Sequence, residues 1–110
     1  MEALPNDGTP GNVPSSPELQ FTVNFSATGT HYVWIRAQAG ANTDDSIFAG
    51  IDGGGSVAVT LTQLNSWQWS NTIQGGAAGA SVNVATTGVH TLNLWMREDG
   101  LRIDRLILTT

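Results

Sequence analysis

Beyond residue 18 the chain alternates between apolar and polar positions with a period of two. Phe21, Val23 and Phe25 alternate with Thr22 and Asn24, and Val33, Ile35 and Ala37 alternate with Tyr32, Trp34 and Arg36. Successive side chains of an extended strand point to opposite faces, so each stretch offers one apolar face to a core and one polar face to water. The same reasoning predicts strands over Ile47 to Ile51, Val57 to Leu61, Val82 to Val84, Val89 to Met96 and Leu101 to Leu108. Between the first two of these lies Asp52-Gly53-Gly54-Gly55, where glycine supplies the positive φ of a tight hairpin. No window has a helical period, and the pattern implies an all-β sandwich of about eight antiparallel strands. The stretches 38–46 and 62–80, including the glycine-rich Gly75 to Ser81, are then loops gathered at its ends.

Two details refine this picture. Thr28-Gly29-Thr30-His31 and Thr87-Gly88-Val89-His90 are echoes of each other, each a Thr-Gly turn feeding a strand that starts with His and runs to an Arg. They read as similar corners of one sandwich, where the His side chains serve hydrogen bonding at the sheet edge rather than general-base chemistry. In the last strand Leu101 and Ile103 fall on one face but Leu106 and Leu108 on the other. Either both faces are covered, or a bulge near Asp104-Arg105 shifts the register.

Composition narrows the function. With 110 residues the chain makes one domain, and its net charge of −5 without a single Lys leaves no basic stripe for nucleic acid or an anionic membrane. No apolar run reaches the roughly 20 residues that span a bilayer, and the opening Met1-Glu2-Ala3-Leu4-Pro5 is no export signal. There is no Cys, hence no disulfide and no thiolate metal site, while the wealth of Thr, Asn and Gly resembles secreted bacterial modules. An extracellular or cell-surface location follows as the expectation, with any export signal outside this sequence. All four Pro lie within residues 5–17, which reads as a loop hugging the surface. Charge is concentrated elsewhere: Met96 to Leu108 holds three of the four Arg and three of the nine acids around an Asp-Gly turn. Charges are costly to bury, so this hairpin tip is expected at an exposed sheet end.

Five segments, "GTHYVWIRA", "IFAGIDGG", "WQWSNT", "TTGVHTLNLWM" and "LRIDRLIL", occur in that order over residues 18–110. Together they resemble the carbohydrate-binding modules of families six and thirty-five, which are galactose-binding-like jelly rolls. The resemblance implies a jelly-roll sandwich that binds a polysaccharide or oligosaccharide without catalysis, as an accessory to a catalytic domain in the parent chain. It also implies roles by position. An aromatic of the Trp-rich loop packs on a sugar ring, and Trp67 and Trp69 occupy that loop. An indole can cover the C–H face of a sugar and leave its hydroxyls free. Two residues apart in an extended segment, both would point to one face with Ser66, Gln68 and Ser70 opposite. The plainer alternative is that one of them plugs the core.

In the last strand these modules commonly carry an Asn two residues before the Asp, where this chain has Arg102. A guanidinium fork suits a carboxylate, which favours an acidic sugar; the alternative is a pair with Glu98 or Asp99 across the hairpin. Asn71 offers an amide to sugar hydroxyls or simply shapes its loop. Asp104 matches the structural calcium ligand of the resembling modules, but calcium takes roughly six to eight oxygens, and of the opening Glu-Ala-Glu strand that should help only Met1-Glu2-Ala3 remains. Either Glu2 abbreviates that strand or the strand is missing, and an open edge could then pair two copies into a homodimer. Asp44, Asp45 and Asp52 make a further oxygen-rich group best read as turn and loop residues. Glycoside hydrolysis needs two carboxylates facing each other across a bond, which adjacent Glu98 and Asp99 do not provide, and there is no Gly-x-Ser-x-Gly elbow or phosphate loop. The expected module is not an enzyme; the competing expectation is a structural or adhesive spacer that contacts other proteins.

Overall fold

A computed structural model describes Glu2, residues 11–13 and residues 15–110. It is all-β, with nine strands: β1 (Glu18–Phe25), β2 (Gly29–Gln38), β3 (Ser46–Ile51), β4 (Gly54–Thr60), β5 (Gln68–Ser70), β6 (Thr72–Ile73), β7 (Ser81–Val84), β8 (Gly88–Met96) and β9 (Arg102–Thr109). They form two antiparallel sheets. One has five strands in the order β1-β8-β3-β4-β6; in the other, β2 pairs with β5, β7 and β9. No helix long and apolar enough to cross a membrane occurs among the described residues.

Alternation builds the core between the sheets. Val33, Ile35 and Ala37 of β2 are fully buried and meet Ile47 and Ala49 of β3 and Leu92 and Leu94 of β8 in one cluster. Each such aliphatic side chain removed from water contributes about 1.5–3 kcal/mol. The expected loop at 62–80 is corrected: it contains β5 and β6, whose three and two residues are too short to show a period. Their existence depends on partners, since β5 is a strand only because β2 lies beside it.

The break in alternation in β9 is a bulge. Arg36 pairs with Arg105 and Ala37 with Ile103, which leaves Asp104 as an extra residue. Its effect is to return both apolar pairs to one side: Leu101 and Ile103 are buried, and Leu106 and Leu108 pack against the same core.

The opening segment hugs the surface where it is described. The Gly11 amide donates to the Arg97 carbonyl (2.8 Å), and the Met96 amide to that of Pro17 (2.9 Å). Residues 5–10 and Pro14, the rest of that expectation, lie outside the described residues. Glu2 forms an antiparallel bridge with Arg102, so the start of the chain meets the last strand.

The tip of the charged hairpin is not exposed. Asp99 is 2% exposed and Gly100 is buried. The Glu98 carboxylate accepts the Asp45 amide (2.9 Å) and the Ser46 hydroxyl (2.7 Å), and pairs with Arg97 at 3.1 Å. This draws the tip in against the start of β3. Burial, and Glu98 beside it, push the Asp45 carboxyl above its ordinary range.

Candidate functional site

The outer face of the four-stranded sheet is assembled from the polar positions of β2, β5 and β9. Tyr32 is flanked by Ser81 of β7 on one side and Thr109 of β9 on the other; Trp34 lies opposite Ile107. Arg36 lies between Trp69 of β5 and Arg105 of β9. Directly opposite residues share a face, so these side chains form one outward surface. Tyr32, Trp69 and Ile107 are exposed, and Trp34 and Arg36 are half-buried.

Trp67 and Trp69 are each 41% exposed, so neither plugs the core. Ser70 on the opposite side of β5 is buried and donates to the Thr60 carbonyl (2.6 Å). The loop before β5 is tied down by one side chain: Gln68 Oε1 accepts the Thr62 amide and hydroxyl, both at 3.1 Å, and its Nε2 donates to the Gln63 carbonyl (2.7 Å). The Asn65 amide also reaches the Ala39 carbonyl (2.8 Å). An aromatic on a restrained loop has little ordering left to lose when a ligand arrives.

Arg36 organises the face. Its guanidinium lies over the Trp67 ring, 5.4 Å from the centroid, and donates through Nη1 to Asp104 Oδ2 at 2.7 Å. The bulge in β9 brings that carboxylate to it. Arg36, Trp34 and Tyr32 were absent from the candidates drawn from sequence, although the alternation in β2 already placed all three on the outer face. What the sequence lacked was the adjacency of β2 and β5.

The other candidates go elsewhere. Asn71 is buried, and its carbonyl accepts the Gly79 and Ala80 amides (3.2 and 2.9 Å), bridging from the end of β5 to the approach of β7. Arg102 pairs with Glu2 (Nε to Oε2, 3.4 Å) rather than with Glu98 or Asp99, and its side chain remains 57% exposed. It lines a pocket of about 260 Å³ with Glu2, Gln38, Asp44 and Asn65, at the start of β9 beside the Trp loop. Asp104 pairs with the Arg36 guanidinium. Among the described residues no group of three or more His, Cys, Asp or Glu is placed to hold a metal.

The histidine corners differ despite their matching sequences. His31 is buried, edge-on to Phe25, with Nδ1 3.1 Å from the Gly29 carbonyl. His90 meets acceptors at both ring nitrogens: Asp52 Oδ2 at 2.6 Å from Nδ1 and the Thr86 carbonyl at 2.7 Å from Nε2. Two acceptors call for two N–H donors, which only the imidazolium has. The Asp52 carboxylate and that carbonyl accordingly raise the His90 pKa. The Thr91 amide and His90 lower that of Asp52.

Residues 1–110 match the family described as glycosyl hydrolase family 115 C-terminal domain. The chain belongs to that family. It is similar also to "Uncharacterized protein P23" of Formosa agariphila, 26% identical over 102 residues that make up 84% of this chain and 25% of that protein. The chain spans about a quarter of the length of this relative. No solved structure matches it.

Proposed function

We propose that this family 115 C-terminal module binds polysaccharide without catalysis, through the outer face of its four-stranded sheet, and favours acidic sugars. The observation that carries the reading is the exposure of Trp67, on a restrained loop, and of Trp69, in β5, both beside a fixed arginine. Indole faces stack on the C–H faces of sugar rings, and the strand spacing offers Tyr32 and Trp34 as further platforms along an extended chain. The polar edge comes from guanidinium groups. Arg36 is shared with Asp104, Arg102 with Glu2 and Arg97 with Glu98, so among the described residues Arg105 is the arginine without an acid partner. It lies directly opposite Arg36, a like-charge pair that costs stability unless an anion settles between them. A uronate carboxylate fits that description. The resemblance to the modules of families six and thirty-five supports a glycan as the ligand.

The test is affinity electrophoresis and calorimetry on uronate-bearing and neutral polysaccharides. Trp67→Ala and Trp69→Ala should each weaken binding about tenfold while leaving the melting temperature nearly unchanged. Arg105→Gln should weaken uronate binding about fivefold and spare neutral sugars, with a smaller effect from Arg102→Asn. Folded protein that binds no glycan would sink the reading. The second reading, contact with a neighbouring domain of the parent protein, is favoured by the extent of the patch: Ile107 is 46% and Tyr32 38% exposed.

A further inference from the structure

The opposite side of the sandwich carries a cleft that the aromatic face does not explain. It lies on the outer surface of the five-stranded sheet, has a volume of about 410 Å³, and is lined by Glu18, Gln20, Asp52, Thr91, Asn93 and Trp95. We infer that this cleft is a second, independent saccharide site, one that takes a neutral, hydroxyl-rich sugar.

Its side chains are set in position before any ligand arrives. Asn93, only 2% exposed, forms the floor: its Nδ2 donates to Glu18 Oε2 (3.0 Å) and its Oδ1 accepts the Gly53 amide (2.9 Å). Glu18 Oε1 accepts from Gln20 Nε2 (3.0 Å). Asp52 is held by the Thr91 amide at Oδ1 (3.0 Å) and by His90 at Oδ2 (2.6 Å). The far wall is the β3–β4 turn, in which Asp52 and Gly53 both have positive φ (52° and 81°), the two-residue hairpin geometry that curls the turn back over β8.

Trp95 supplies a second, independent pointer. It is 1% exposed, and its Nε1 is fully buried with no hydrogen-bond acceptor among the described residues. Buried polar atoms are nearly always paired, so this orphan N–H is left for a water to complete, and it reports on the cleft that the same indole lines. The benzo edge of the ring fills the space above Gly50, where any Cβ would meet Trp95 Cζ3 at 2.8 Å and the Gly54 carbonyl at 2.6 Å. Glycine at position 50 is what lets the indole lie there.

The ligand class follows from the balance of groups. Two carboxylates, two carboxamides and a hydroxyl present mainly acceptors, so the complementary ligand donates several O–H groups. Glu18 and Asp52 repel a uronate, whereas the aromatic face with Arg36 and Arg105 attracts one. A module with both sites holds a neutral and an acidic stretch of polysaccharide at once, on opposite faces, which raises the effective concentration of each for the other.

Nuclear magnetic resonance on the four indole N–H groups, assigned by single Trp→Phe variants, decides the matter. Neutral oligosaccharides of xylose, galactose and glucose, titrated to about 10 mM, should move the Trp95 resonance saturably for one of them. Uronate oligosaccharides should leave it still. The shift should persist in the Trp67→Ala/Trp69→Ala variant and weaken about tenfold or more in Gln20→Trp, which fills the cleft from an exposed position. A Trp95 resonance that stays still for every neutral sugar overturns the inference. So does a shift that vanishes in the Trp67→Ala/Trp69→Ala variant, because a single site on the other face then accounts for it. The aromatic face is judged separately by the Trp67 and Trp69 resonances, so either site can fail alone.

Discussion

On the four-stranded sheet the outward positions include Tyr32, Trp34, Arg36, Trp69, Arg105 and Ile107; on the five-stranded sheet they include Glu18, Gln20, Thr22, Thr91 and Asn93, with Phe48 and the buried Trp95 beside them. Both sets arise from the same period-2 alternation, yet one surface is aromatic and cationic and the other polar and acidic. A net charge of −5 is thus no guide to what either face attracts, because three of the four arginines lie on one sheet. The tryptophans divide in the same way. Trp67 and Trp69 stand in solvent, while Trp95 lies beneath the surface of the other sheet as part of its structure.

That division makes the largest prediction. Trp95→Ala should cost about 3–5 kcal/mol of stability, as expected for a large buried aromatic, and Trp69→Ala no more than about 0.5 kcal/mol. Chemical denaturation measures both, and equal losses would erase the distinction between the faces. Gly50→Ala comes next, at about 1–3 kcal/mol for overpacking against Trp95 and the Gly54 carbonyl. It should disturb the acidic cleft, read by the Trp95 resonance, and leave glycan binding at Trp67 and Trp69 intact. A smaller effect is expected from Asp104→Asn, which frees the Arg36 guanidinium. Stability should change by less than about 1 kcal/mol, the usual range for exposed ion pairs, while uronate affinity rises and becomes more sensitive to salt in calorimetry.

The smallest effect is a pH dependence at the rim of the acidic cleft. The Asp52 pKa is lowered, so its contribution to stability is present above the ordinary value of 3.8 and is lost as pH falls through the lowered value. The His90 pKa is raised, so its contribution is complete below the ordinary value of 6.5 and is lost as pH rises through the raised value. The pair therefore acts most strongly between these two ordinary values. Melting temperatures of the native chain and His90→Gln should differ most in that window and converge on either side; a difference independent of pH would rule out the charged pair.

The two His corners show how far local sequence carries. Both were legible as Thr-Gly turns feeding strands, and both histidines do bond at sheet corners. The fate of each depends on a distant element: His90 meets Asp52 from the β3–β4 turn, 38 residues away, whereas His31 is left with its own Gly29 carbonyl. Arg102 is a similar case. Its partner is Glu2, from the far end of the chain, and not the acids beside it in the hairpin. The bulge at Asp104 was foreseeable because the break in alternation had to be absorbed somewhere along β9. β5 was not foreseeable, since three residues carry no period.

Alternation alone determined that the chain is a β-sandwich and which residues of each long strand face outward. Tertiary structure alone decided that Trp69 lies beside Arg36, that Asp104 reaches the same guanidinium, that Asp99 is buried, and that Trp95 underlies a polar cleft. The physical reason is one of range. The side to which a strand residue points is set by its own backbone, whereas its neighbours across the sheet are set by hydrogen-bond ladders between segments far apart in the chain, and no local pattern specifies those pairings.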